Sequence, residues 1–206
     1  MPSDARILTI GHSNHDWERF AALLSGAGVT AVADVRTSPW SRRTPQFNRE
    51  ALATNLKAAG VAYVFLGAEL GGRPGGTHLF DDGVADYEAM AREETFQKGL
   101  ERVANGARTH VVALMCAERE PLDCHRCLLV SRRLQDLGLA VAHIHADGRI
   151  EPHEATERRL LVCEGLDHED IFESRESRLA RAYGQRARKV AYAEAAGEAS
   201  STVAAE

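Results

Sequence analysis

THVVALMCAEREPLDCHRCLLVSRRLQDLGL, Thr109 to Leu139, is the stretch whose reading decides the fold. Its apolar run, Val111-Val112-Ala113-Leu114-Met115, is short and bounded by polar residues, which predicts a fully buried strand. A polar loop holding Cys116, Glu118, Arg119 and Glu120 follows. After Pro121 a helical pattern runs from Cys124 to Leu137, with Cys124, His125, Arg126 and Cys127 in its first turn and Gly138 at its end. A strand, a loop of reactive side chains and a helix N-terminus, in that order, form a site-building unit of open α/β proteins.

Upstream, the same alternation repeats. Arg6–Ile10 is a strand candidate, followed by Gly11-His12-Ser13-Asn14 and a helix with Trp17, Phe20, Leu23 and Leu24 at helical spacing, closed by Gly26 and Gly28. Val29–Val35 is a second buried strand, running into the basic loop Arg36-Thr37-Ser38-Pro39-Trp40-Ser41-Arg42-Arg43. Phe47–Ala59 reads as a helix stopped by Gly60. Val61–Leu66 is a third strand, and Leu70-Gly71-Gly72-Arg73-Pro74-Gly75-Gly76 is a mobile glycine-rich loop behind it. Tyr87–Ala104 is helical, with Met90, Phe96, Leu100 and Val103 on one face.

Downstream, Leu139–His145 is a fifth strand, and Asp147-Gly148 turns the chain towards a short returning edge at Arg149–Glu151. No hairpin is expected before that point. The fold class is therefore α/β: three layers, with a mainly parallel five-stranded open sheet and helices on both faces. Ligands of such sheets bind beyond the carboxyl ends of the strands, where the polar loops after strands one to four should converge.

The 206 residues, 44% hydrophobic and 27% charged, suit one α/β domain over residues 1–152 with a helical extension over 153–190. From Ala191 onward the Ala-, Glu- and Ser-rich composition predicts a disordered tail over 191–206. A formal net charge of -5 gives no global drive towards nucleic acid or membrane, so any anion site must be local. The N-terminus has no basic start ahead of a long apolar core, and no apolar run is long enough to span a bilayer. The expected location is the cytoplasm, where the four cysteines stay reduced and thiol chemistry or metal binding is more plausible than a disulfide framework. Arg175–Lys189 is expected to be a solvated helix with only non-specific, salt-sensitive attraction for polyanions.

TIGHSN after strand one, DVRTSPWSRR after strand two, LGG after strand three and LMCAEREPLDCHR after strand four form a distinctive ordered set. Together they resemble the bacterial family known as domain of unknown function 488, over roughly Arg6 to Gly148. The resemblance implies a three-layer α/β fold with these loops as the family's shared polar positions, and it implies no assigned activity. A looser similarity to rhodaneses and low-molecular-weight phosphatases rests on Asp34-Val35-Arg36 and Cys116, but Glu118 and Glu120 would repel an anion centred on that sulfur.

On these placements the catalytic candidates are Cys124, Cys116, Glu118, His125 and His12. Cys124 stands near a helix start, where peptide N–H groups favour a thiolate, with His125 and Glu118 as a base and its orienter. His12, at a strand end, is a further acid/base or anion donor. The anion-binding candidates are Arg36, Arg42, Arg126, Ser13, Ser41, Gly71 and Gly72, with Arg43 beside them: a guanidinium fork matches phosphate geometry, Ser41 adds a hydroxyl donor, and Gly71-Gly72 lets a backbone approach a ligand closely. Tyr63 and Trp40 are candidates to stack on a planar base. The leading expectation is an enzyme acting on a small anionic or phosphorylated ligand, a nucleotide or a nucleic-acid end, through a reactive cysteine. A non-catalytic nucleotide- or nucleic-acid-binding module is one alternative. A metalloprotein built on Cys116, Cys124 and Cys127 is another, in which Cys124-x-x-Cys127 is half a zinc site that His143, His145 or His153 would complete. The bland reading of those histidines is a solvated edge strand. No metal is assigned, no cofactor is expected and no membrane partner is foreseen.

Overall fold

The computed structural model describes residues 7–168 and 171–194. Six strands form the central sheet: β1 (Ile7–Gly11), β2 (Ala31–Asp34), β3 (Ala62–Phe65), β6 (Val112–Cys116), β7 (Val141–Ile144) and β8 (Ile150–Pro152). Their order is β3-β2-β6-β1-β7-β8, parallel except for β8, which returns antiparallel to β7 beyond the Asp147-Gly148 turn. The expected returning edge is thus a sixth strand. β6 is threaded between β1 and β2, and all five of its residues are buried.

Period-two alternation divides the two faces of the sheet. Leu8, Ile10, Ala113 and Met115 face α1 (Trp17–Gly26) and α2 (Arg49–Ala58), where Phe20, Leu24, Leu52 and Leu56 close the layer. Ile7, Val112, Leu114 and Cys116 face the opposite layer. That layer holds α3 (Gly67–Leu70), α4 (Tyr87–Arg92), α5 (Glu94–Gly106), α6 (Arg132–Asp136), α7 (His153–Cys163) and α8 (Arg175–Val190). Side chains buried as fully as Leu114 and Met115 contribute roughly 1.5–3 kcal/mol each.

Several sequence expectations are corrected. A small hairpin, β4 (Phe80–Asp81) with β5 (Val84–Ala85), precedes the C-terminal end, turned by Asp82 and Gly83 in the left-handed region. The single helix over Tyr87–Ala104 breaks at Glu93, whose extended ψ of 136° lets it begin α5 afresh. The helix after Cys124 is not regular: Pro121–Asp123 is a 3-10 turn, Arg126–Ser131 is π-helical, and only Arg132–Asp136 is α-helical. Helix α8 is solvated on one side only: Arg175, Arg181, Arg188 and Lys189 are exposed, whereas Ala182 and Tyr183 pack inward and Arg178 is buried against the carbonyls of Leu166 and His168.

Beyond α8, where the tail is expected, the chain continues across the β4–β5 hairpin: Ala85 N–H donates to Tyr192 O at 2.8 Å, and Ala193 bridges Val84. The rest of the expected tail, 195–206, lies outside the described residues. Among the described residues no helix is long and apolar enough to cross a membrane.

Candidate functional site

The carboxyl ends of β6, β1 and β2 lie side by side, and the loops after them enclose a cleft of about 200 Å³. Cys116, Cys124 and His125 are buried at its floor, while Glu118, Asp123, Thr37, Ser38 and Arg73 stand exposed around its mouth. Tyr87, Val190 and Tyr192 complete the wall, and the Arg73 guanidinium lies 5.0 Å over the Tyr192 ring.

Backbone bonds fix the floor. His12 N–H donates to Cys116 O at 2.8 Å and Ser13 N–H to Ala117 O at 2.9 Å, so the loop after β6 follows the loop after β1. The glycine of TIGHSN is required there: a Cβ on Gly11 would stand 1.8 Å from Glu118 O. The fully buried Arg126 holds the same loop from beneath, donating to Glu118 O (2.7 Å) and Arg119 O (3.1 Å). Ser131 Oγ donates to Arg126 O at 2.7 Å within the π-helical stretch, a local geometry frequent at functional sites.

Cys124 precedes this helical stretch in extended conformation (φ -143°, ψ 139°), and its sulfur accepts from Arg126 N–H at 3.4 Å. Glu118 Oε2 lies 3.0 Å from Cys124 Sγ, and His125 Nδ1 lies 3.7 Å from Cys116 Sγ and 3.8 Å from Cys124 Sγ. Because a carbonyl can only accept, the 3.0 Å contact between His125 Nε2 and Val35 O puts a hydrogen on Nε2 and turns Nδ1 towards the two sulfurs. A Cβ on Gly72 would come within 2.7 Å of the His125 ring, so the glycine loop closes directly over the imidazole.

The two thiols are driven apart. Burial opposes ionisation of Cys124, yet the hydrogen bond from Cys116, the Arg126 charge and His125 outweigh it and hold Cys124 well below the ordinary thiol range. Burial, then the neighbouring Cys124 sulfur, push Cys116 well up. Burial of the Glu118 carboxyl head and the neighbouring Cys124 sulfur raise Glu118, whose Oε2 is the carboxylate atom in contact with that sulfur. Burial works to lower His125, but the Cys124 sulfur lifts it above its usual value.

The other sequence candidates take different places. Arg36 is buried and clamped: Nε and Nη2 donate to Asp34 at 2.8 and 2.7 Å, Nη2 also to Phe47 O at 2.8 Å, and Nη1 faces His12 Nε2 at 3.2 Å. It lines the cleft with most of its donors already engaged. His12 stacks on Phe47 with ring centroids 4.4 Å apart, and Nδ1 contacts Ser13 O at 2.8 Å. Burial depresses His12 to about 4, so it supports Arg36 as a neutral imidazole. Ser13 sits at φ 47° with its hydroxyl on Asn14, and Ser41 contacts Asn48 and Arg43. The exposed Arg42 lies 5.8 Å over Trp40. Neither Ser41 nor Arg42 lines the cleft. Gly71 packs on Gly67 O and Thr37 Oγ1, and Tyr63 donates to Asp34 at 2.9 Å instead of facing the cleft.

The Cys124-x-x-Cys127 pair is split between two clusters. Cys127 turns away from Cys124 and approaches His143 Nε2 at 3.9 Å. His143 and His153 are not solvated. They are fully buried in a chain that runs from Arg126 Nε through Thr9 Oγ1, His143 and His153 to Tyr183 and Glu157. Tyr183 gives its one hydroxyl hydrogen to Glu157, so His153 Nε2–H donates to Tyr183, His143 Nε2–H to His153 Nδ1 and the Thr9 hydroxyl to His143 Nδ1. His145 stands apart, half-buried against Glu151 at 2.8 Å.

Sequence reasoning passed over Arg73, Thr37, Ser38, Tyr87, Asp123 and Tyr192. Arg73 carried a readable signal, being the one charge inside a glycine loop already singled out. Tyr87 and Tyr192 carried none, because long-range packing brings them here.

No curated protein and no solved structure matches the chain. The family model described as Domain of unknown function DUF488 matches residues 16–132, which hold β2, β3, β6, the floor residues Cys116, Cys124 and His125, and the Glu118 and Asp123 carboxylates at the mouth. By that match, over more than half of its length, the chain belongs to the DUF488 family.

Proposed function

We propose that the cleft is the active site of an enzyme acting on a small anionic ligand of the phosphate-ester class. Cys116, Glu118, Cys124 and His125 form its reacting centre, and Arg73 anchors the anionic group. The observation that carries this reading is the sorting of charge around one opening. Arg36 is neutralised by Asp34 and Asp123 by Arg186, whereas Arg73 forms no ion pair among the described residues. The Thr37 and Ser38 side chains stand exposed in the adjoining loop, as donors for the same group. The positive charge that no carboxylate pairs therefore sits at the mouth, with Glu118 beside it and the Cys116 and Cys124 sulfurs and the His125 imidazole below.

The test is turnover of a panel of nucleotides and simple phosphate esters by the full chain, Arg73→Ala and Cys124→Ser. Removing the guanidinium should raise KM by roughly tenfold or more, the weight of a charge-assisted hydrogen bond, with a smaller effect on kcat. Cys124→Ser should abolish turnover. A hydrolysed ligand whose kinetics ignore both substitutions would end this reading.

A further inference from the structure

We propose that the reacting centre is a zinc site in which Cys116, Cys124 and His125 are the protein ligands and Glu118 serves the water at the fourth corner. The proposal rests on the reading of the cleft as an active site and names the chemistry of its centre.

Four donor atoms, two sulfurs, the His125 nitrogen and a Glu118 carboxylate oxygen, all lie within 4.8 Å of one another. With zinc–sulfur bonds of about 2.3 Å and zinc–nitrogen bonds of about 2.0–2.1 Å, a tetrahedron places sulfur and nitrogen roughly 3.5 Å apart. His125 Nδ1 is 3.7 and 3.8 Å from the two sulfurs, so a contraction of a few tenths of an ångström brings both sulfur–nitrogen edges to that length, and the sulfurs lie within 4.8 Å of each other. The imidazole is already oriented for it, because Nε2–H is committed to Val35 O and Nδ1 is the nitrogen presented. Gly72 packs on the outer face of that ring and leaves it little room to turn.

Charge balance agrees. Two thiolates neutralise the divalent ion, and the buried Arg126 beneath stabilises the sulfurs without competing as a ligand, its guanidinium being engaged by the carbonyls of Glu118 and Arg119. Two cysteines and one histidine form a ligand set that leaves a position open for water, and here the opening faces the cleft. Glu118, 3.0 Å from Cys124 Sγ, is closer to that sulfur than two corners of a zinc tetrahedron would be. It is therefore assigned beside the open corner, not on the ion. In that place Glu118 takes a proton from the water, the water oxygen bonds to the phosphorus of the ligand, and the bond to the leaving group breaks. The same proton then passes from Glu118 to the departing oxygen. The reaction class is hydrolysis, with water as co-reactant.

The buried Cys127, His143 and His153 form a second group of ligand type. Their hydrogen bonds are mutually satisfied and no solvent reaches them, so they are not assigned a metal.

The experiment is metal analysis of the full chain purified from zinc-supplemented medium, together with cobalt(II) titration of the protein stripped by a chelator. The expected result is about one zinc per chain, with thiolate-to-cobalt charge-transfer absorption of tetrahedral type. Cys124→Ser and His125→Gln should lose stoichiometric metal, and Cys163→Ser, at an exposed cysteine, should keep it. Glu118→Gln should keep the metal and lose turnover. Absence of stoichiometric zinc and of the cobalt–thiolate band in the wild-type chain overturns the proposal, and needs no variant to fold. Loss of zinc in Glu118→Gln overturns the role given to Glu118. If no zinc binds while Arg73→Ala still weakens ligand turnover, this inference falls and the cleft reading stands. If zinc binds but no phosphate ester is bound or turned over, the cleft reading falls and with it the hydrolytic step.

Discussion

Arg36 shows how an environment reassigns a residue. Two positions after a buried aspartate at a strand end, its guanidinium folds back on Asp34, which also accepts from Arg36 N and Tyr63 OH. An Asp-x-Arg spacing does not disclose that, because the same residues could splay to opposite sides of the crevice. Removing the carboxylate leaves a buried charge unpaired. Asp34→Ala is therefore expected to lower unfolding stability by about 3–5 kcal/mol in urea titration, and Arg42→Ala, exposed on Trp40, by less than about 0.5 kcal/mol. Gly72 was legible as a place of close approach. That the approaching group is His125, far along the chain, was not.

At the scale of elements, strand β6 and the loop after it were readable from the apolar run and Pro121, whereas Cys124, expected in the first helical turn, stands extended just ahead of the helical stretch. The π-helical stretch was not. It depends on Ser131 satisfying a carbonyl of Arg126 and on the Arg126 side chain reaching under the loop, and neither leaves a mark in helical periodicity. Arg126 is thus a positioning residue in place of the anion ligand the sequence suggested. Arg126→Met, which keeps the apolar stem and deletes the donors, should cost about 3 kcal/mol and leave the carbonyls of Glu118 and Arg119 unpartnered. Hydrogen exchange should then quicken over residues 117–120 while the β6 amides stay protected.

For the whole molecule, the alternation of strands and helices announced a parallel three-layer sheet, and the crowding of polar residues after the strands announced where its site would be. Strand order was not legible: hydrophobic runs do not say that β6 inserts between β1 and β2, and that insertion brings Cys116 beside Gly11 and Met115 beside Asp34. Nor does composition reveal that residues past α8 pair with the β4–β5 hairpin and wall the cleft.

Burying neutral histidines makes the fold acid-sensitive. Burial lowers both His12 and His153 from 6.5 to about 4, so between those values only the unfolded chain takes up the protons. Stability is full above about pH 6.5 and falls as pH drops towards 4, by about 3 kcal/mol for each group. Urea midpoints at pH 7.5 and 4.5 should show the loss, and His153→Gln should reduce it.

The claim that Arg73 at the cleft mouth presents an anion to Glu118 and the Cys116–Cys124–His125 floor is tested most directly by calorimetric titration of wild-type protein and Arg73→Ala with inorganic pyrophosphate. One saturable site, weakened roughly tenfold or more in Arg73→Ala, is the predicted result. No heat of binding in the wild type, or equal affinity in the two proteins, would contradict the account.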